Sequence, residues 1–87
     1  MIPELLVPNA ELIVVYNTTQ RHSSLGNRER HIRVLREGML SETAYYRSYL
    51  PDQTGVWVLD LSDEGKEKFF VHSRIESVRE TLIDDLL

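Results

Sequence analysis

The sequence predicts an α+β domain: a small, strongly bent antiparallel sheet of four or five strands, closed or partly closed, with one C-terminal helix packed on it. Three observations lead there. Residues 11–16, 56–61 and 69–71 are short runs of β-branched, aromatic and aliphatic side chains, residues that suit a pleated, half-buried surface. Ser62, Asp63, Glu64 and Gly65 separate the last two runs with turn chemistry, which reads as a β-hairpin. Behind Ser73-Arg74-Ile75-Glu76, which has the form of a capping box, Ile75, Val78, Leu82 and Leu86 recur at helical spacing with Ile83 beside them. The 87 residues form a single domain, 1–87, and closure of its sheet would remove edges that are hazardous in so short a chain.

The elements follow in order. Residues 1–9 carry Pro3 and Pro8, which oppose helix and favour an extended arm lying over the core. Glu11–Tyr16 is the first strand, buried on both faces. Residues 17–27, almost all polar, read as a mobile loop. Residues 28–40 fit two patterns. As a strand, Ile32 and Val34 face one way and His31, Arg33 and Leu35 the other; as a helix, Ile32, Leu35 and Met39 share a stripe, weakened by Gly38. The strand is the favoured reading. Residues 43–50 read as a strand with Tyr45 and Tyr49 on one face, or as a helix capped by Ser41, and Pro51 ends either. Alternation from Val56 puts Trp57, Leu59 and Leu61 on one face and Val56, Val58 and Asp60 on the other. The hairpin runs into the cap at Ser73 with no linker, so strand and helix pack as one unit, with Phe69 or Phe70 and Ile75 near one core and Trp57 as a core residue.

Composition excludes several chemistries. There is no cysteine, hence no disulfide, thiolate metal site or cysteine nucleophile, which fits a cytoplasmic setting. The start lacks the basic region of a signal peptide, and the longest apolar run, Leu12–Tyr16, is too short to cross a membrane. No phosphate loop, no nucleophile elbow and no metal-ligand spacing of His22, His31 and His72 occurs. No enzyme activity, cofactor or metal is therefore expected. Nor is the net charge of −4 that of a general nucleic-acid binder.

The charge is uneven, however. Residues 21–51 carry six arginines against three acids, and residues 52–87 carry four basic groups against nine acids. Arg28, Arg30, Arg33 and Arg36 precede Tyr45 and Tyr49, and these six are the candidate binding residues. Arginines suit an acidic protein face or phosphate, and aromatics beside arginines suit single-stranded nucleic acid.

Trp57-Val58-Leu59, followed by Phe70-Val71-His72-Ser73-Arg74-Ile75, resembles the core of WYL domains, Sm-like or SH3-like barrels found mostly in bacterial regulators. Those domains read W-Y-L on one strand and a phrase like F-R-L-D-R-I after the turn. Tyr16 stands where the family has an early tyrosine. The likeness spans residues 11–17 and 55–78. It departs at Val58, where the family has tyrosine, at Ser73, where it has aspartate, and at 40–54, an insertion. The resemblance implies a ligand- or nucleic-acid-sensing barrel with Trp57 and Arg74 at matching positions. Separately, Tyr16–Gly26 resembles a phrase near the end of IS3-type transposases. It covers eleven residues, leaves no room for the catalytic acidic triad, and is not read as an activity.

The sequence thus points to a small non-enzymatic binding or regulatory module acting through protein-protein contacts, with a protein partner and no membrane association. A homodimer is compatible with it. The alternative is RNA or single-stranded DNA binding through the Arg/Tyr surface.

Overall fold

The computed structural model describes residues 5–17, 29–44 and 46–81. They form one five-stranded antiparallel sheet: β1 (Glu11–Tyr16), β2 (Glu29–Met39), β3 (Thr54–Asp60), β4 (Lys66–Val71) and β5 (Ile75–Glu80), in the spatial order β4-β3-β2-β1-β5. Short 3₁₀ turns at Leu40–Glu42, Leu61–Asp63 and His72–Arg74 join or follow strands.

The order forces the sheet to curl. β4 and β5 are its two edges, yet only the turn His72–Arg74 separates them in the chain. Four strand spacings would set flat edges about 19 Å apart, and a link of this length spans at most about 14 Å. Side chains close the gap from inside. Tyr16 of β1 stacks on Phe70 of β4 with ring centroids 4.2 Å apart, and the Val71 amide donates to the Tyr16 hydroxyl at 3.0 Å.

The core lies within the curl. Leu12, Val14, Ile32, Val34, Val56, Val58 and Phe70 are buried together, with Leu5, Leu6, Ala10, Tyr16, Ile75 and Val78 packed around them. Alternation along each strand delivers these residues to the inner face. The arm expected over the core does this over its described part: Leu5 and Leu6 pack on the core, and the Asn9 amide donates to the Val34 carbonyl. Residues 1–4 and 18–28 lie outside the described residues.

The hairpin forms as its turn chemistry requires. The Asp60 side chain accepts the Ser62 amide, Glu64 and Gly65 take positive φ of 59° and 71°, and the Gly65 amide closes on the Asp60 carbonyl. Glycine is at home in that backbone region. Of the two readings of residues 28–40, the strand is found over Glu29–Met39.

The C-terminal helix is not found. Residues 75–80 are strand β5, paired with β1 from Leu12↔Glu80 to Tyr16↔Ile75. The described residues contain no α-helix, so the fold is all-β rather than α+β. Leu82, Ile83 and Leu86 of the expected helical stripe lie outside the described residues. Two physical reasons stand behind the correction. A helix of this length is marginal in water without strong packing, whereas pairing with β1 satisfies a whole edge of backbone groups at once. The Ser73 hydroxyl, expected to cap a helix, instead bonds the Gln53 side chain at 3.1 Å.

The described residues of 43–50 form neither strand nor helix. Their loop is closed at its base by Leu40 N–H to the Gln53 carbonyl at 2.7 Å and Ser41 N–H to the Asp52 carboxylate at 2.8 Å. Trp57, expected in the core, stands on the outer face of the sheet, because its neighbours Val56 and Val58 fill the core and alternation turns it the other way.

Candidate functional site

The pairing registers define rows of side chains across the outer face. One row is Glu11, Arg33, Leu59 and Glu67; the next is Arg36, Trp57 and Phe69; the next is Gly38, Gly55 and Val71. A bulge between Val34 and Arg36 sets the second row. The extra residue, Leu35, shifts the alternation, so that Arg36 shares a face with Arg33, three positions earlier.

The glycine row seats the aromatic row. A β-carbon on Gly38 would lie 2.7 Å from Trp57 Nε1 and 2.8 Å from its Cδ1, and one on Gly55 would lie 2.5 Å from Phe69 Cζ. Each ring therefore rests on bare backbone. Trp57 and Phe69 meet edge to face with centroids 5.2 Å apart, a favourable arrangement for two quadrupoles. Strand-interior glycines are often found where something approaches the backbone closely; here it is the ring of a neighbouring strand.

Glu42, in the turn after β2, is the polar centre of this cluster. Its Oε1 accepts the Trp57 indole N–H at 2.9 Å, Arg36 Nη1 at 3.2 Å and the Met39 amide at 3.3 Å. The indole bond, then the Met39 amide, hold the carboxyl below its ordinary value, with Arg36 contributing and burial opposing. The Arg36 guanidinium carbon sits 5.5 Å from the Trp57 ring centroid, within cation–π range.

The six candidate binding residues are not brought together. Arg33 and Arg36 share the outer face. Arg30 turns to the inner side, where its Nε lies 3.9 Å from Asp60. Tyr49 is 82 % exposed in the β2–β3 loop. Arg28 and Tyr45 lie outside the described residues. Each described candidate arginine has a carboxylate near it: Arg33 bonds Glu11, Arg36 bonds Glu42, and Arg30 faces Asp60. The Arg33 bond is the main cause that holds Glu11 below its ordinary value.

A second charged group sits at the β3–β4 hairpin, on the inner face of the sheet. Asp60 is fully buried, and Lys68 reaches it at 2.8 Å while also bonding Asp63 at 2.8 Å. Burial works to lower the Lys68 ammonium, but its two carboxylate partners outweigh this and raise it. Asp63 is lowered, chiefly by its Lys68 hydrogen bond. Among the described residues, no group of three or more His, Cys, Asp or Glu could hold a metal ion. An open groove of about 540 Å³ between the arm and the end of β5 is lined by Leu5, Val7, Ala10, Leu12, Glu80 and Thr81 among others.

No protein-family model, curated protein or solved structure matches the chain. The site is therefore read from its geometry alone. Sequence reasoning missed Glu42, Phe69 and the glycine pair. The usable signal was two glycines inside strand patterns, of which Gly38 was counted only against a helix.

Proposed function

We propose that the chain is a small, non-enzymatic cytoplasmic binding module that contacts a protein partner through the outer face of its sheet. The observation that carries this reading is the row Arg36–Trp57–Phe69 seated on Gly38 and Gly55, with Leu59 in the adjacent row. Tryptophan, tyrosine and arginine dominate the energetics of protein interfaces, and a rigidly seated ring loses little freedom when a partner lands on it. Tyr49 and Leu50, 82 % and 42 % exposed, offer further apolar contact from the β2–β3 loop. Among the described residues, no helix is long and apolar enough to cross a membrane.

The carboxylates beside Arg30, Arg33 and Arg36 favour a protein over a nucleic acid, since phosphate binding draws on cations free to replace counterions. The resemblance to WYL domains supplies a second reading, a ligand- or nucleic-acid-sensing barrel. The outward placement of Trp57 and the exposure of Arg74 support it.

The test is affinity capture from cell extract with the wild-type chain, Leu59→Lys and Tyr49→Ala, followed by native mass measurement. A partner kept by the wild type and lost by Leu59→Lys supports the outer face as the contact. Equal recovery by all three chains excludes that face. Binding of mixed oligonucleotides that weakens steeply with salt would replace this reading with the nucleic-acid one.

A further inference from the structure

The cluster at Trp57 holds one loosely held part and two fixed ones. The indole is fixed by Gly38 beneath it and by its N–H bond to Glu42. The Glu42 carboxylate is fixed by that bond and by the Met39 amide. Arg36 is the loosely held part. Its side chain is 58 % exposed, and one terminal nitrogen, Nη1, bonds both Glu42 Oε1 and the Glu37 carbonyl. A long side chain held by an exposed ion pair gains little from it.

From this we infer that Trp57 and Glu42 form a receptor for an arginine side chain of the partner protein, and that Arg36 is a tethered occupant which the incoming guanidinium displaces. The inference rests on the protein-contact reading above and names the partner's chemistry. Three features fit it. The position over the Trp57 ring already accommodates a guanidinium, since Arg36 lies there. The three described donors to Glu42 all go to Oε1, and a forked guanidinium would set a second N–H on Oε2. A planar guanidinium both stacks on a ring and bonds a carboxylate in a fixed fork, which a lysine ammonium does not do. Leu59 and Phe69 flank the position and suit apolar residues on either side of the partner arginine.

The tether sets the competition. An intramolecular arginine acts at an effective concentration on the order of millimolar, so the partner arginine must be helped by neighbouring contacts, and removing Arg36 must strengthen its binding. Contacts of this exposed cation–π kind correspond to about a two- to fivefold change in affinity.

The test uses the full chain and the peptide acetyl-Gly-Leu-Arg-Leu-Gly-amide, with its Arg→Gln counterpart as control. Trp57 is the only tryptophan, so its emission and its indole N–H resonance report the site without ambiguity. The expected result is a saturable shift of that resonance with the arginine peptide and none with the control. Arg36→Ala should tighten binding about two- to fivefold, and adding Glu42→Gln should abolish it. If Arg36→Ala loses the dispersed indole resonance of the folded chain, Arg36→Gln takes its place. Equal affinity of the wild type and the Arg36 variant, or no shift in either, overturns the inference. If the peptide fails while Leu59→Lys still loses its partner in the capture experiment, the arginine receptor falls and the protein-contact reading stands.

Discussion

Tyr16 and Phe70 stack at 4.2 Å with planes inclined by 14°, although they come from β1 and β4, which are not neighbours in the sheet. This pair ties the two sides of the curled sheet together. The Tyr16 hydroxyl accepts the Val71 amide, a group pointing away from β3 that would otherwise lack a partner. Tyr16→Phe keeps the stack and removes the acceptor. It should cost about 1–3 kcal/mol, the penalty for stranding a half-buried donor. Phe70→Ala removes the ring and should cost about 3–5 kcal/mol. Urea unfolding checks both; a Tyr16→Phe midpoint equal to wild type would mean that water satisfies the Val71 amide.

The two glycines of the outer face carry opposite expectations from the glycine of the hairpin. At Gly55 a β-carbon would strike the Phe69 ring and the Phe70 carbonyl, and overpacking of this kind costs about 1–3 kcal/mol. At Gly38 it would push against the indole and Glu42. Gly38→Ala should therefore lift Trp57 from its seat and shift its emission to longer wavelength. At Gly65 nothing lies within 4 Å, but φ is +71°. Gly65→Ala should cost about 1–2 kcal/mol through backbone strain alone, and Gly65→Asn less, with Trp57 emission unchanged in both. An emission shift from Gly65→Ala equal to that from Gly38→Ala would contradict this division.

How far the sequence could be read turns on two bulges. Ile75 and Val78 both pack on the core, three residues apart, which is a helical signature. In the structure they belong to a strand. Val15 pairs with Ser77 and Tyr16 with Ile75, so Glu76 is an extra residue, and the skip lets residues at i and i+3 share a face. Leu35 does the same in β2, between Val34↔Val58 and Arg36↔Trp57, and there too the residue pattern fits a helix as well as a strand. Unbroken runs of β-branched, aromatic and aliphatic residues at Leu12–Tyr16 and Val56–Leu59 made β1 and β3 legible, and the turn residues located the hairpin. Glu42 could not be found the same way, since only the closed loop brings it to Trp57, fifteen positions away.

Acid should destabilise the fold before base does. Glu11, Glu42, Asp52 and Asp63 all titrate below their ordinary values, through bonds from Arg33, Trp57, Ser41 and Lys68 respectively. A lowered carboxyl means that the unfolded chain binds more protons than the folded one, so stability rises with pH through that window. The contribution is present above the ordinary values of 4.5 for Glu and 3.8 for Asp and is lost as pH falls below them. Lys68 is raised above 10.5, so its contribution is full below that pH and disappears as pH climbs through the folded value. Urea midpoints should be level from about pH 6 to 9 and fall on both sides. Glu11→Gln and Glu42→Gln should flatten the acid limb, and a midpoint that rises on acidification would reverse the assignment.

The last expectation concerns the buried carboxylate. Asp60 is fully buried, while the Lys68 side chain is 32 % exposed and has Asp63 as a second partner. The two halves of this pair are therefore unequal. Without Lys68, the described partners left to the Asp60 charge are Arg30, at 3.9 Å, and the Ser62 amide. Stranding a buried charge costs about 3–5 kcal/mol. Asp60→Asn removes the charge but leaves Lys68 with Asp63 and water, and the side-chain amide oxygen it introduces can still accept the Ser62 amide. That change should cost about 1–2 kcal/mol. Lys68→Met should thus be the more damaging single substitution, and Asp60→Asn combined with Lys68→Met should recover part of its loss. A double-mutant cycle by urea unfolding measures the coupling, expected at about 1–3 kcal/mol. If Asp60→Asn proves the costlier change, the hairpin geometry built on Asp60, rather than its buried charge, sets the stability of this end of the sheet.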